Sequence, residues 1–236
     1  MRALLLLACL TACATPPRPP VALPPPGLSR ASFVAPSGRT VPYVLLIPEQ
    51  PAEPRALIVV LHHAGTITPY FAEPMVRRLI APALAPLGAI IVAPDAQEDR
   101  DWGSPLNEAT VVALTEAAIQ SYGVDPGRVL LTGYSMGGRG TWSIGAQHQD
   151  LYSALIPMAA PPTPGPGSIR IPVCALQSRD DELIPLEPFL RSVEQLERRG
   201  LHLELRLIEG AHHQDLESFR APLEALVPWV REAWER

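Results

Sequence analysis

The sequence predicts a single α/β domain in which a mostly parallel sheet carries helices on both faces. Three observations support that class. Short runs of apolar, often branched residues, among them Ala56–Leu61, Ala89–Ala93 and Ala154–Met158, read as strands buried on both faces. Segments with helical spacing alternate with them, as a sheet covered on both sides requires. The 236 residues suffice for one substantial core, and no internal repeat points to a second domain.

Taken in order, Ala31–Ala35 and Thr40–Ile47 read as strands joined by the Pro36-Ser37-Gly38-Arg39 turn, a hairpin suited to a sheet edge. Ala56–Leu61 is the first buried strand. Pro74–Leu87 has helical spacing through Val76, Leu79, Ile80 and Leu84, with Pro82 and Pro86 expected to shorten or kink it. Ala89–Ala93 is the second buried strand. In Leu106–Tyr122, Val111, Leu114, Ala118 and Ile119 share one helix face, and Gly123 stands where a left-handed cap is needed. Arg128–Thr132 reads as a strand, followed by a helix from Gly138 to about His148. Ala154–Met158, Ile171–Leu176 and His202–Ile208 are three further strands, with a helix over Leu186–Arg199. The final helix falls within Asp215–Trp234, interrupted by Pro222 and Pro228. Between Met158 and Ile171 the chain is dominated by Pro161, Pro162, Pro164, Gly165, Pro166 and Gly167. Such a connection holds no helical lid, so minimal or no cover over the strand ends is expected.

Composition removes several functions. Every basic side chain is arginine; with no lysine, Schiff-base chemistry is excluded. A net charge of −5 without a basic run argues against a nucleic-acid partner. Met1-Arg2 followed by the apolar run Ala3–Ala12 reads as a signal peptide over residues 1–12, too short for a permanent span. Leu10-Thr11-Ala12-Cys13 resembles the lipobox of bacterial lipoproteins. That resemblance implies cleavage before Cys13, lipidation of its thiol, and a membrane anchor in the cell envelope. Ala14 after the cysteine points by the same resemblance to the outer membrane. Residues 13–28 then form the lipidated cysteine and a proline-rich tether, and residues 29–236 form the domain. Cys9 falls in the signal, which leaves Cys174 as a lone cysteine in a strand, a small buried hydrophobe with no disulfide partner.

The chemistry concentrates at Gly133-Tyr134-Ser135-Met136-Gly137. A G-x-S-x-G between a buried strand and a helix is the pattern of a nucleophile elbow, in which both glycines make room for a very sharp turn. The turn lifts the Ser135 hydroxyl out of the sheet and leaves the Met136 amide at a helix N-terminus, facing any developing oxyanion. Serine needs a base, and the base needs an orienting acid. Two segments after strand ends supply candidates: Asp180-Asp181-Glu182 after the strand ending at Leu176, and His212-His213 after the one ending at Ile208.

The chain resembles small bacterial α/β-hydrolase esterases of the polyhydroxybutyrate-depolymerase-like, feruloyl-esterase-like and predicted-peptidase branches. The likeness runs from Val41 to Trp229. It is strongest from Gly123-Val-Asp-Pro-Gly-Arg128 through Gly133–Gly138 to Gly140-Thr-Trp142. It implies the α/β-hydrolase fold and the triad order Ser135, Asp181, His213. The family's D-x-x-V-P matches Asp181-Glu-Leu-Ile-Pro185 and selects Asp181. Its G-x-G-H matches Gly210-Ala211-His212-His213 and selects His213, with His212 in place of the second glycine. Its H-G-x-G matches His62-His63-Ala64-Gly65, which makes the Ala64 amide the second oxyanion donor beside Met136, with His63 where a glycine is usual. A metal bound by the two histidine pairs is the rival reading. Adjacent residues in extended chain face opposite ways, so each pair offers one ligand at most; no metal or cofactor is expected.

What the resemblance implies is ester hydrolysis through an acyl-serine on a small-molecule or polymer-linked ester. A serine peptidase is the alternative within the fold, and an inactive lipid-anchored binding protein the alternative outside it. His63, Asp95, Trp102 and Tyr134 are expected to line the substrate pocket, Asp95 and Trp102 because they follow the Ala89–Ala93 strand at the same sheet edge.

Overall fold

The computed structural model describes residues 21–97, 101–162, 169–201 and 203–236. The signal segment, Cys13 and the tether as far as Pro20 lie outside the described residues, as does part of the connection before Ile171.

Eight strands form one sheet: β1 (Gly27–Val34), β2 (Thr40–Ile47), β3 (Leu57–Leu61), β4 (Ile90–Pro94), β5 (Val129–Tyr134), β6 (Ala154–Met158), β7 (Val173–Ser178) and β8 (Leu203–Ile208). Their spatial order is β1-β2-β4-β3-β5-β6-β7-β8. The pairs β1/β2 and β2/β4 are antiparallel; the rest are parallel. β3 to β7 are buried along their whole length, whereas the edge strands β1 and β8 alternate in exposure. The continuous apolar runs therefore mark the middle of the sheet, where both faces are covered. β1 begins earlier than expected because it pairs with β2 along its full length, from Gly27 opposite Ile47 to Val34 opposite Thr40.

Side chains alternate between two cores. Along β3, Ile58 and Val60 join one, and Leu57, Val59 and Leu61 the other. The first core is closed by a helical segment over residues 73–87 (α1) and by two late helices, Arg220–Glu224 (α5) and Val227–Trp234 (α6). The second is closed by α2 (Pro105–Tyr122), α3 (Met136–Gln147) and α4 (Leu186–Glu197). Ser104 caps α2 by accepting the Asn107 amide, and Gly123 ends it in the left-handed region at φ 63°.

In α1 the prolines alter the turn without ending the segment. Val76–Ile80 is π-helical, with the Ala81 amide reaching back to the Val76 carbonyl, and the chain tightens to a 3₁₀ turn at Ala85–Leu87. The wider turn directly precedes Pro82, which brings no amide and whose ring would crowd a regular helix. Pro222 and Pro228 likewise divide the C-terminal segment into a 3₁₀ turn, α5 and α6. Cys174 is buried and unpaired in β7, and burial pushes its thiol up to about 12.

For the site, the consequence is one of direction. β3, β4, β5, β7 and β8 all run the same way, so the segments after Leu61, Pro94, Tyr134, Ser178 and Ile208 emerge at one edge of the sheet.

Candidate active site

At the centre of that edge β5 turns into α3. Ser135 sits at φ 55° and ψ −113°, a region costing on the order of 1–3 kcal/mol for a residue with a side chain. The neighbours enforce it. A Cβ on Gly137 would fall onto the Leu61 carbonyl, and one on Gly133 onto the Gly137 carbonyl, so glycine alone lets β3, β5 and α3 approach this closely. The Ser135 amide donates to the Met158 carbonyl at 2.9 Å, tying the turn to β6. Met136 opens α3, where its amide has no carbonyl one helical turn earlier and lies at the positive end of the helix dipole.

The Ser135 hydroxyl lies 2.8 Å from His213 Nε2. On the other side of the ring, Nδ1 lies 2.8 Å from Asp181 Oδ2 and 3.0 Å from Oδ1. An ionised carboxylate only accepts, so Nδ1 carries the proton and Nε2 is left to accept from the hydroxyl. The side chains of His213 and Asp181 are 6% and 0% exposed, which keeps water from competing for either contact. Asp181 also accepts the Leu183 amide at 3.0 Å, the Ile184 amide at 2.7 Å and Gln177 Nε2 at 3.4 Å. His212, 70% exposed, turns outward and lies 3.3 Å from Glu182. Of the two adjacent histidines, His213 is the one that meets Ser135.

The loop that delivers His213 is clamped by its neighbours. Asp180 accepts the Gly210 amide at 2.7 Å, and Glu182 accepts the His213 amide at 3.0 Å. The Ser178 hydroxyl donates to the Ala211 carbonyl at 2.6 Å, and the Tyr134 hydroxyl donates to the His213 carbonyl at 3.0 Å. All three carboxylates of the run Asp180-Asp181-Glu182 thus hold the histidine loop. The bond from the His213 amide, with His212 alongside, keeps the Glu182 carboxyl below the usual carboxylate range.

The segment after β3 is set by His62. This ring is fully buried; burial lowers its pKa to about 4, so it is neutral at neutral pH. Its Nε2 accepts the Ala96 amide at 3.1 Å, which places the proton on Nδ1, which donates to the His63 carbonyl at 2.7 Å. A trans peptide points its N–H opposite to its C=O. With the His63 carbonyl drawn towards the buried ring, the Ala64 amide is directed away from that ring. His63 itself keeps a negative φ, so this chain builds the turn without the glycine usual at that place. Its Nδ1 lies 2.8 Å from the Ala64 carbonyl.

Three of the four residues expected to line the pocket also have structural posts. Trp102 is 0% exposed: its indole N–H donates to the His62 carbonyl at 2.9 Å, and its Cβ packs against Gly140 of α3. Asp95 is buried and turned back on the chain, accepting the Tyr70 amide at 2.6 Å and the Phe71 amide at 2.8 Å. These bonds hold Tyr70 at φ 66°, while desolvation raises the Asp95 pKa above its usual range. Tyr134 is buried between His213 and Phe219, with its phenol pushed above its usual range by burial. Of the four, His63 and Asp95 stand at cavity walls, His63 beside Tyr70 and Phe71, and Asp95 beside Thr40, Pro42 and Gln97. Sequence reasoning did not single out Ser178 or Glu182 as supports of the histidine loop; no local pattern marks a side chain that reaches a loop about thirty residues away.

No protein-family model and no curated protein matches the chain. Solved structures do. A ferulic acid esterase superposes with a TM-score of 0.69 at 19% identity, covering 88% of this chain and 98% of its own. A serine hydrolase without a lid from Xanthomonas campestris gives 0.68 at 18% identity, covering 90% and 97%. A thermostable esterase gives 0.61 at 22% identity; it covers 88% of this chain, which spans only 61% of that longer one. The fold of the chain is that of the α/β-hydrolases, with a mostly parallel eight-stranded sheet.

Proposed function

We propose that this chain is a serine hydrolase that cleaves carboxylic esters through an acyl-enzyme on Ser135. The observation that carries the reading is the relay Ser135 Oγ–His213 Nε2 at 2.8 Å and His213 Nδ1–Asp181 Oδ2 at 2.8 Å, ending in a carboxylate shut off from water. In the first step the Ser135 oxygen forms a bond to the ester carbonyl carbon as its proton passes to His213 Nε2. Asp181 holds the imidazole tautomer and stabilises the imidazolium. The oxyanion is received by the Met136 and Ala64 amides. The tetrahedral intermediate collapses when the bond to the leaving alcohol breaks and that oxygen takes the proton from Nε2. Water then attacks the acyl-serine, with Nε2 as base, and releases the acid. The strained Ser135 backbone and the helix start at Met136 are present before substrate arrives, so little reorganisation is left for the reaction.

The substrate in this reading is a small-molecule or polymer-linked ester. Ester over peptide cleavage is favoured because the ferulic acid esterase superposes over 98% of its own chain, whereas the two peptidases that also superpose share 40% and 36% of theirs. The reading includes a lipid anchor at Cys13, a tether leading to β1 and a place in the cell envelope. Among the described residues no helix is long and apolar enough to cross a membrane.

A panel of nitrophenyl esters beside aminoacyl nitroanilides tests the activity. Ester turnover should exceed anilide turnover, and Ser135→Ala should cut it by about 10⁶-fold, the scale seen when a triad serine is removed. Undiminished turnover in that variant would refute the mechanism; preferential anilide cleavage would make the chain a peptidase.

A further inference from the structure

Next to the oxyanion loop lies a cavity of about 660 Å³ whose walls include His63, Tyr70 and Phe71 of that loop. Phe71 packs beneath Gly65, and His63 lies one residue from Ala64, so the cavity adjoins the segment assigned to oxyanion binding. Its opposite walls carry Arg30 from β1 and Arg77 and Arg78 from α1.

The charges there do not cancel. Glu73 is the single carboxylate in the lining, and it is shared: Arg30 Nε and Arg77 Nε each reach it at 2.8 Å. Arg78 has only a long contact to Glu217, 3.9 Å between side chains that are 68% and 69% exposed, which neutralises little. Three guanidiniums against one lining carboxylate leave two positive charges around one concavity, in a chain whose net charge is −5. The arginines are also positioned. Glu73 fixes two of them, and Arg30 lies over the Tyr70 ring at 5.1 Å from its centroid. Tyr70 is itself set at positive φ by Asp95. Pro69, Phe71 and Pro74 add apolar wall beside the charge.

We propose that this cavity is a subsite for a carboxylate carried by the ester substrate, held by Arg78 and Arg77 while the apolar walls take the carbon chain or ring that links it to the scissile ester. Guanidinium groups suit the task because their planar donors match a carboxylate in pairs. The proposal rests on the hydrolase reading and narrows it from esters in general to esters bearing an anion.

Two substrate pairs test it: 4-nitrophenyl hemiadipate against its methyl ester, with the charge on the acyl side, and 4-acetoxybenzoate against methyl 4-acetoxybenzoate, with the charge on the alcohol side. In at least one pair the acid should have the higher kcat/KM by about tenfold, the scale of one charge-assisted contact. In Arg77→Gln/Arg78→Gln the acid-to-methyl-ester ratio should fall by about the same factor, chiefly through KM, and added salt should lower it in the parent protein. No preference for the acid in either pair, or a ratio indifferent to the double substitution, would overturn the subsite while leaving ester hydrolysis intact. Should neither ester of any pair be turned over, the hydrolase reading fails, and calorimetric binding of adipate still judges the cavity. Heat of binding that vanishes in the double variant supports it; none in the parent protein overturns it. Arginine-dependent binding to phosphatidylglycerol vesicles without any preference for the acids would also overturn it and give this face to a membrane.

Discussion

At the elbow, Gly133 and Gly137 leave no space for a side chain between β3, β5 and α3, and Ser135 is held at φ 55° by close backbone packing and by its amide bond to the Met158 carbonyl. Around His213 the restraints are of another kind: Asp180, Glu182, Tyr134 and Ser178 each hold the loop by a side-chain hydrogen bond, from elements distant in the chain. One half of the site is set by steric contact of backbone, the other by polar side-chain braces. Steric restraint fails all at once when violated. A set of polar braces yields in steps, since each contributes a fraction of the alignment.

The steric half gives the largest expected effect on stability. Gly137→Ala drives a methyl group into the Leu61 carbonyl, with no flexible side chain there to move aside. It should destabilise the domain by more than about 3 kcal/mol, read as a shift in denaturant midpoint. A fully stable, active variant would show that the elbow is not set by packing.

Within the polar half, removing the base outweighs removing a brace. His213→Ala should lower kcat by about 10⁶-fold, while His212→Ala, outward-facing and in an exposed pair, should change it by less than about fivefold. Equal losses at both positions would contradict the assignment of the base. Glu182→Gln and Asp180→Asn should each reduce kcat by roughly tenfold with little change in KM, because a misaligned imidazole costs rate more than binding. If KM rises instead, these carboxylates act on substrate and not on the loop.

The two halves also differ in how far the sequence reveals them. Gly133-x-Ser135-x-Gly137 encodes its own geometry within five residues, so the elbow, its strand and its helix could be read directly. Asp181 and His213 could be read only through motif resemblance, since Asp180 and His212 stand beside them and share their chemistry. The posts of Asp95, Trp102 and Tyr134 were not readable. Position after a strand end tells which sheet edge a residue reaches, but not whether it faces solvent or turns back. Asp95 turns back to two amides twenty-five and twenty-four residues earlier, and Trp102 to a carbonyl forty residues away. The insertion of β4 between β2 and β3 is likewise non-local, for it depends on which strand edges remain unpaired when the chain returns.

A pH-dependent effect concerns His62, where buried packing and polar bonding meet. Its folded pKa of about 4 lies below the ordinary 6.5, so the unfolded chain takes up the proton first as pH falls. The stability tied to neutral His62 is complete above about pH 6.5 and is lost as pH falls towards 4, by on the order of 3 kcal/mol at most. Denaturant titrations across that range should show this slope, and His62→Asn should flatten it. An unchanged slope would mean that other groups set the acid limit.

The central claim is that Ser135 is made nucleophilic by His213 and Asp181. Incubation with a fluorophosphonate, followed by mass spectrometry of the peptide containing Ser135, tests it most directly. The account predicts a single phosphonyl adduct on Ser135, formed at least about a hundredfold more slowly in Asp181→Asn and in His213→Ala. An unmodified Ser135, or labelling at the same rate in all three proteins, would contradict it.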